Sequence, residues 1–250
     1  MTRVGISGIP GRLASAVARG ITASEDLEIT ALFNPTRGDE RFDGIEIASS
    51  HSEVECEVLF EATEPTVVMD NLRAWRAAGL HAVVGTSGFT EQRLDELRSF
   101  WDDDGPGCLV VPNFSIGAVL MMQFSELAAP HFTGVEIIER HHQDKPDAPS
   151  GTSIATAARI AAAGGSSFDE SSELVAGARG GSVEGIRIHS LRMEATLSAQ
   201  EVAFSKSGER LSITHAGTSY DSFVDGALLA IRHVETTSGV SVGLDEALRR

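Results

Sequence analysis

Residues 139–153 read ERHHQDKPDAPSGTS, in which the neighbouring His141 and His142 precede Lys145, two prolines and the run Ser150, Gly151, Thr152. Imidazole can give or take a proton near neutral pH, lysine offers a compact cation to a carboxylate, and the start of a helix presents N–H groups to an anion. All three fall within the twelve residues from His141 to Thr152. Together they suit a reductase that hands a proton to an anionic substrate. A solvated loop is the plainer reading of a histidine pair alone. Lys145 weighs against it, because lysine occurs in this chain only at 145 and 206. Zinc fits less well: the histidines are adjacent, no cysteine lies nearby, and Asp144 is a poor third ligand. No metal is expected.

A second group lies near the start, in VGISGIPGRLA, where Gly8, Ile9, Pro10, Gly11, Arg12 and Leu13 separate an apolar run from a helical pattern. Small residues there let main-chain N–H groups approach a pyrophosphate at the helix start. A tight strand-to-helix turn is the alternative, and Pro10 has no N–H to donate. The next apolar run ends at Asn34, with Arg37 three residues on. Asparagine at this position can bind a ribose without repelling a 2′-phosphate, and Arg37 can pair with that phosphate, which favours NADPH over NADH. Pairing of Arg37 with Asp39 or Glu40 on the surface is the competing reading. Two further loops, one with Gly85, Thr86 and Ser87 and one with Val111, Pro112, Asn113 and Phe114, each follow a short apolar run, where ligands bind in open α/β sheets.

These loops need a sheet to carry them. Apolar runs at residues 3–7, 27–33, 58–62, 81–85 and 108–111 alternate with helical patterns at 11–22, from Pro65 to Gly79, and at 91–101. That rhythm predicts an α/β fold with a Rossmann-like doubly wound parallel sheet. After about residue 115 it changes: a helix to about 129, a strand GVEIIER, an Ala-rich helix over 151–163, and strands over 186–214 that read as antiparallel, with SKSGE as a turn. A last helix is expected over 222–234.

Composition bounds the rest. Asp and Glu number 36 against 20 Lys and Arg, a net charge of −16, which excludes nucleic-acid binding through a basic surface. At 42% hydrophobic the chain can bury a sizeable core. Two cysteines are too few for a disulfide framework, so a reducing, cytoplasmic setting is expected. Residues 105–125 carry no charge, yet Pro106, Pro112, Asn113, Ser115 and Gly117 interrupt them, so a membrane span is rejected in favour of a strand, a turn and a helix start. No secretory signal is expected at the start.

The glycine loop, GTSGF, PNFSIG, EIIERHHQDKPDAPSGT and SFVDGALLAI together resemble the dihydrodipicolinate reductase family over nearly the whole chain, with residues 136–152 the most specific block. The resemblance implies reduction of 4-hydroxy-tetrahydrodipicolinate to tetrahydrodipicolinate by NADPH or NADH, in lysine and diaminopimelate biosynthesis. It implies His141 as proton donor or acceptor, assisted by Lys145, with His142, Ser150, Gly151 and Thr152 on a small dicarboxylate substrate. The cofactor would lie on the residues from Gly8 to Leu13, on Gly85, Thr86 and Ser87, and on Val111, Pro112, Asn113 and Phe114. A dinucleotide-binding domain over 1–114, completed by a return over 222–250, and a substrate-binding domain over 115–221 with a mixed sheet that builds a homotetramer are implied as well. Pro10, Ala14 and Ser87 depart from the family pattern in ways the loops can accommodate, and Asn34 stands where the family typically has an acid, which bears on the use of NADH. Ala195 and Ala199 depart as well and leave open a diverged reductase of another cyclic imine or enamine acid; a dinucleotide-binding sensor without turnover is the alternative from a different class.

Overall fold

The computed structural model describes residues 1–168 and 172–249, and its first strand, β1 (Thr2–Ser7), ends in four buried residues, as a parallel strand covered on both faces should. There follow α1 (Arg12–Thr22), β2 (Leu27–Phe33), β3 (Arg41–Phe42), β4 (Ile45–Ala48), β5 (Val58–Glu61), α2 (Val68–Ala77), β6 (His81–Val84), α3 (Glu91–Phe100) and β7 (Cys108–Val110). The middle of the chain forms α4 (Ile116–Ala128), β8 (Gly134–His142), α5 (Gly151–Ala162), β9 (Gly181–Val183), β10 (Ile186–Met193), β11 (Ser198–Lys206) and β12 (Glu209–Gly217). It closes with α6 (Val224–Val234) and β13 (Val240–Val242). Two units result, Met1–Ser115 with Tyr220–Arg250, and Ile116–Ser219.

The first unit holds a sheet of order β13-β7-β6-β5-β1-β2-β4-β3, parallel at every pairing except β3 with β4. This is the expected doubly wound arrangement. Its core includes Phe33, Leu72, Trp75, Leu97 and Trp101, with the Trp75 ring edge-on to Phe33 at 5.1 Å. Each such side chain contributes roughly 1.5–3 kcal/mol by leaving water. Helix α2 starts at Val68, because the residues after Pro65 form a turn first, and Gly79 at φ +73 ends it. The short β3, β4 and β13 have no counterpart in the sequence expectation. The uncharged stretch resolves into β7, a loop and the start of α4, and among the described residues no helix is long and apolar enough to cross a membrane.

In the second unit the order is β12-β11-β8-β10-β9. β11 and β12 form the expected hairpin around Ser207 and Gly208, antiparallel from Lys206↔Glu209 to Ser198↔Gly217. β10 corrects the antiparallel reading of its segment: it pairs in parallel with β8, which lies between β10 and β11. The turn after β10 carries Ala195 at φ +54, a left-handed conformation that glycine adopts more easily. One face of this sheet carries Ile137, Ile188 and Val202, all essentially buried, under α4 and α5.

Candidate active site

Strand order reverses at β1, which has β2 on one side and β5 on the other, and ligands of such sheets bind beyond the strand ends at that point. Gly8 follows β1 with φ +100, and a Cβ there would come within 2.3 Å of the Ala62 carbonyl oxygen beyond β5. The Gly8 N–H donates to Phe33 O (3.0 Å) and the Gly11 N–H to Gly8 O (2.8 Å), which puts Ile9 and Pro10 at the turn's tip. Gly11 caps α1 without a side chain, and the first turn, with Arg12 and Leu13, holds no acid to offset the helix's positive end. Ala14, fully buried, keeps that turn tight against the sheet.

Beyond β6, a Cβ on Gly85 would meet the Phe114 ring at 2.8 Å, and the buried Thr86 hydroxyl has no hydrogen-bond partner among the described residues. Ser87 follows it. The neighbouring strand β7 runs into Val111, whose N–H donates to Val84 O (2.9 Å), then Pro112 and Asn113, whose Oδ1 accepts from the Ser115 N–H (2.8 Å). A main-chain cradle with no space for Cβ, an open helix start and a buried hydroxyl lacking a partner fit a nicotinamide dinucleotide.

Asn34 and Arg37 stand nearby with their side chains engaged. Asn34 Nδ2 donates to Ile9 O (2.7 Å), and its Oδ1 accepts from the Thr36 N–H and hydroxyl. Asn34 thus braces the glycine loop. Arg37 pairs with Glu40 at 2.9 Å, both side chains about half exposed. The sequence reading also missed Glu61, buried at the end of β5. It accepts from Trp75 Nε1 (2.8 Å), Asn71 Nδ2 (3.3 Å) and the Thr63 hydroxyl, and burial pushes its carboxyl up despite those donors.

The second cluster grows from β8. Its alternation puts Val135, Ile137 and Glu139 on the buried face, and His141 carries that face to the strand's end, while His142 is exposed. His141 Nδ1 is hydrogen-bonded to Glu139 Oε2. Arg192 on β10 donates from Nη1 to both Glu139 oxygens (3.1 and 3.2 Å), from Nη2 to Asp147 O (2.5 Å) and from Nε to Lys145 O (3.4 Å). Burial alone would raise the Glu139 carboxyl, but hydrogen bonds from Ser190, His141 and Arg192 outweigh it and hold it below the usual range. Burial, then Lys145 and Arg192, lower the His141 pKa against the pull of Glu139. Lys145 Nζ binds both Asp147 oxygens, at 2.7 and 2.8 Å.

Ser150 caps α5, its Oγ accepting from the Ser153 N–H (3.2 Å), so this hydroxyl serves the helix. Gly151 and Thr152 occupy the first two helical positions, at the positive end of α5, and a Cβ on Gly151 would meet nothing within 4 Å. Gln200 on β11, unremarked in the sequence, accepts from Ser153 Oγ (2.6 Å) and donates to Thr156 Oγ1 (2.8 Å). It ties the helix start to the strand that pairs with β8. Among the described residues no group of three or more His, Cys, Asp or Glu is placed to hold a metal.

A doubly wound sheet with a glycine cradle at its switch point, joined in one chain to a mixed-sheet unit bearing a Glu–His pair whose carboxylate is buried, defines a Rossmann-type oxidoreductase of two units. The family descriptions "Dihydrodipicolinate reductase, N-terminus" and "Dihydrodipicolinate reductase, C-terminus" match residues 2–114 and 117–248. The chain belongs to the dihydrodipicolinate reductase family, whose members are NAD(P)H-dependent oxidoreductases. It is 43% identical over 253 residues to the 4-hydroxy-tetrahydrodipicolinate reductase of Nocardia farcinica, covering 98% of each chain. It is 41% identical over 252 residues to that of Streptomyces coelicolor, covering 98% of this chain and 97% of the other. Among solved structures, the dipicolinate-bound dihydrodipicolinate reductase from Paenisporosarcina sp. TG-14 superposes with a TM-score of 0.85 at 31% identity, covering 98% of this chain and 99% of that one.

Proposed function

We propose that this chain reduces 4-hydroxy-tetrahydrodipicolinate to tetrahydrodipicolinate, with NADPH as the preferred reductant and His141 as the proton donor. The observation that carries the assignment of roles is the presence, in one unit, of a Glu139-braced His141, Lys145 and the N-terminal end of α5. The 4-hydroxyl leaves as water to give the conjugated dihydrodipicolinate, and the dihydronicotinamide, when bound, would supply a hydride to its double bond. His141 protonates the adjacent carbon. Because Glu139 holds Nδ1, Nε2 is the nitrogen left to face substrate. Lys145 exchanges Asp147 for a substrate carboxylate, and the N–H groups of Gly151 and Thr152, in the helix that Ser150 caps, take the remaining anionic oxygens. His142 lines the mouth of that site.

The residues from Gly8 to Leu13 cradle the pyrophosphate, while Gly85, Thr86, Ser87, Val111, Pro112, Asn113 and Phe114 hold the nicotinamide end. Two features support NADPH: no acid stands where Asn34 does, and the exposed Arg37–Glu40 pair, worth about 0–1 kcal/mol, yields readily to a 2′-phosphate. We further place the enzyme in the cytoplasm, in keeping with two buried free thiols, Cys56 and Cys108. We also place it in a homotetramer, for which the sheet face opposite α4 and α5 offers Leu191 (38% exposed) and Met193 (44%).

The test follows NADPH and NADH oxidation by absorbance, with substrate made in the cuvette from pyruvate and aspartate semialdehyde by a dihydrodipicolinate synthase. Fast oxidation that prefers NADPH is expected. Cofactor binding without oxidation would overturn the reading in favour of another imine acid or a sensor.

A further inference from the structure

We propose that Glu139 and Arg192 form a positioning pair that fixes which His141 nitrogen carries the mobile proton and keeps the Lys145 loop in step with it. The inference rests on the reductase reading of this site and adds two residues that do not touch substrate.

Glu139 is fully buried, two residues before His141 on the same face of β8, and the His141 side chain is only 16% exposed. A buried carboxylate without partners would be costly; this one is met by His141 Nδ1, by Ser190 and by the Arg192 guanidinium. Its negative charge favours Nδ1–H, so the lone pair, and in the protonated ring the second N–H, is at Nε2. Arg192 neutralises Glu139 from β10, which runs parallel to β8 with Arg192 opposite His141. The same guanidinium grips the Lys145 and Asp147 carbonyls, so strand and loop share one anchor.

Among the described residues, the other groups that face His141 from the neighbouring elements carry no charge. Its neighbour across β11 is Ser198, Gln200 follows on the same face, and the first turn of α5 has no titratable side chain. Burial lowers the His141 pKa, Glu139 raises it, and Lys145 and Arg192 lower it.

The experiment combines ¹⁵N NMR of the histidine rings in the apoprotein with pH profiles of turnover. In the wild type, neutral His141 is expected to carry its proton on Nδ1. In Glu139→Gln the amide oxygen turns to Arg192 and the NH₂ faces the ring, so the proton moves to Nε2. kcat should then fall roughly 10²- to 10⁴-fold, as expected for a general acid held in the wrong tautomer. Glu139→Asp should restore the Nδ1–H form and part of kcat.

Activity should fall as pH rises through the His141 pKa, and the midpoint of that limb gives a signature. It moves to lower pH in Glu139→Gln and to higher pH in Arg192→Met, which also raises KM for substrate by freeing the Lys145 loop. A purely structural role would lower melting temperatures without moving the limb in opposite directions. Retention of Nδ1–H in Glu139→Gln, or an unmoved limb in both variants, overturns the pair's role. If the wild type does not turn over, or His141→Ala keeps its rate, the reductase reading falls instead, and the tautomer measurement still decides the positioning claim.

Discussion

The two candidate sites are made of different material. The candidate cofactor loops in the first unit are main chain: Gly8 and Gly85 leave no room for a Cβ, and α1 offers its N-terminal end, while the nearby Asn34 and Arg37 side chains are tied to Ile9, Thr36 and Glu40. The candidate proton-transfer cluster in the second unit is mostly side chain: the Arg192 guanidinium meets the Glu139 carboxylate, Glu139 holds His141, and Arg192 reaches the Lys145 loop at its carbonyls. A backbone site accepts side-chain change so long as the path of the chain survives, which explains how Pro10, Ala14 and Ser87 can stand in it. A side-chain site depends on particular atoms and tolerates little.

Substitutions can break this contrast. The largest effect belongs to His141→Ala and Lys145→Ala, each expected to lower kcat by about 10²–10⁴-fold with NADPH affinity unchanged, measured by steady-state turnover and cofactor titration. Loss of cofactor binding in either would merge the two sites. Gly8→Ala attacks the backbone site, since the new Cβ collides with Ala62 O at a φ that alanine resists; a loss of about 1–3 kcal/mol in stability and weaker binding of both cofactors should appear in denaturant melts and titrations. Arg37→Ala sharpens the picture: NADPH affinity should drop about tenfold and NADH affinity should not, and an equal drop for both would remove Arg37 from phosphate recognition. The smallest effect is a gain, about 0.5–1 kcal/mol for Ala195→Gly in the turn after β10, with kcat unaltered.

Much of this was legible in the sequence because it is local. The glycine loop, the alternation of apolar runs and helices, and the block from His141 to Thr152 are each contiguous, so residue type and spacing expose them. The strands β3, β4 and β13, two to four residues long, are too short for periodicity to register. Glu139 left a trace, as an acid two residues before a histidine in a strand shares its face. Arg192 left none: it lies 53 residues from Glu139, and their contact exists only because β10 pairs in parallel with β8, the pairing the local pattern hid. Gln200 is similar, reaching α5 from a strand 47 residues beyond Ser153. Asn34 was noticed for its position, but its hydrogen bonds to the main chain could not be read from its type.

The first unit is finished by residues that come after the second, since α6 and β13 belong to it although residues 116–219 intervene. On the ribosome this reverses the order of completion. The second unit has its full sequence first, and the half-made sheet must wait, with the β7 edge unpaired, for about 7–26 s while the roughly 130 residues up to β13 are added. A premature stop between residues 220 and 240 would therefore strike the sheet begun by β1, and leave the sequence of the second unit complete.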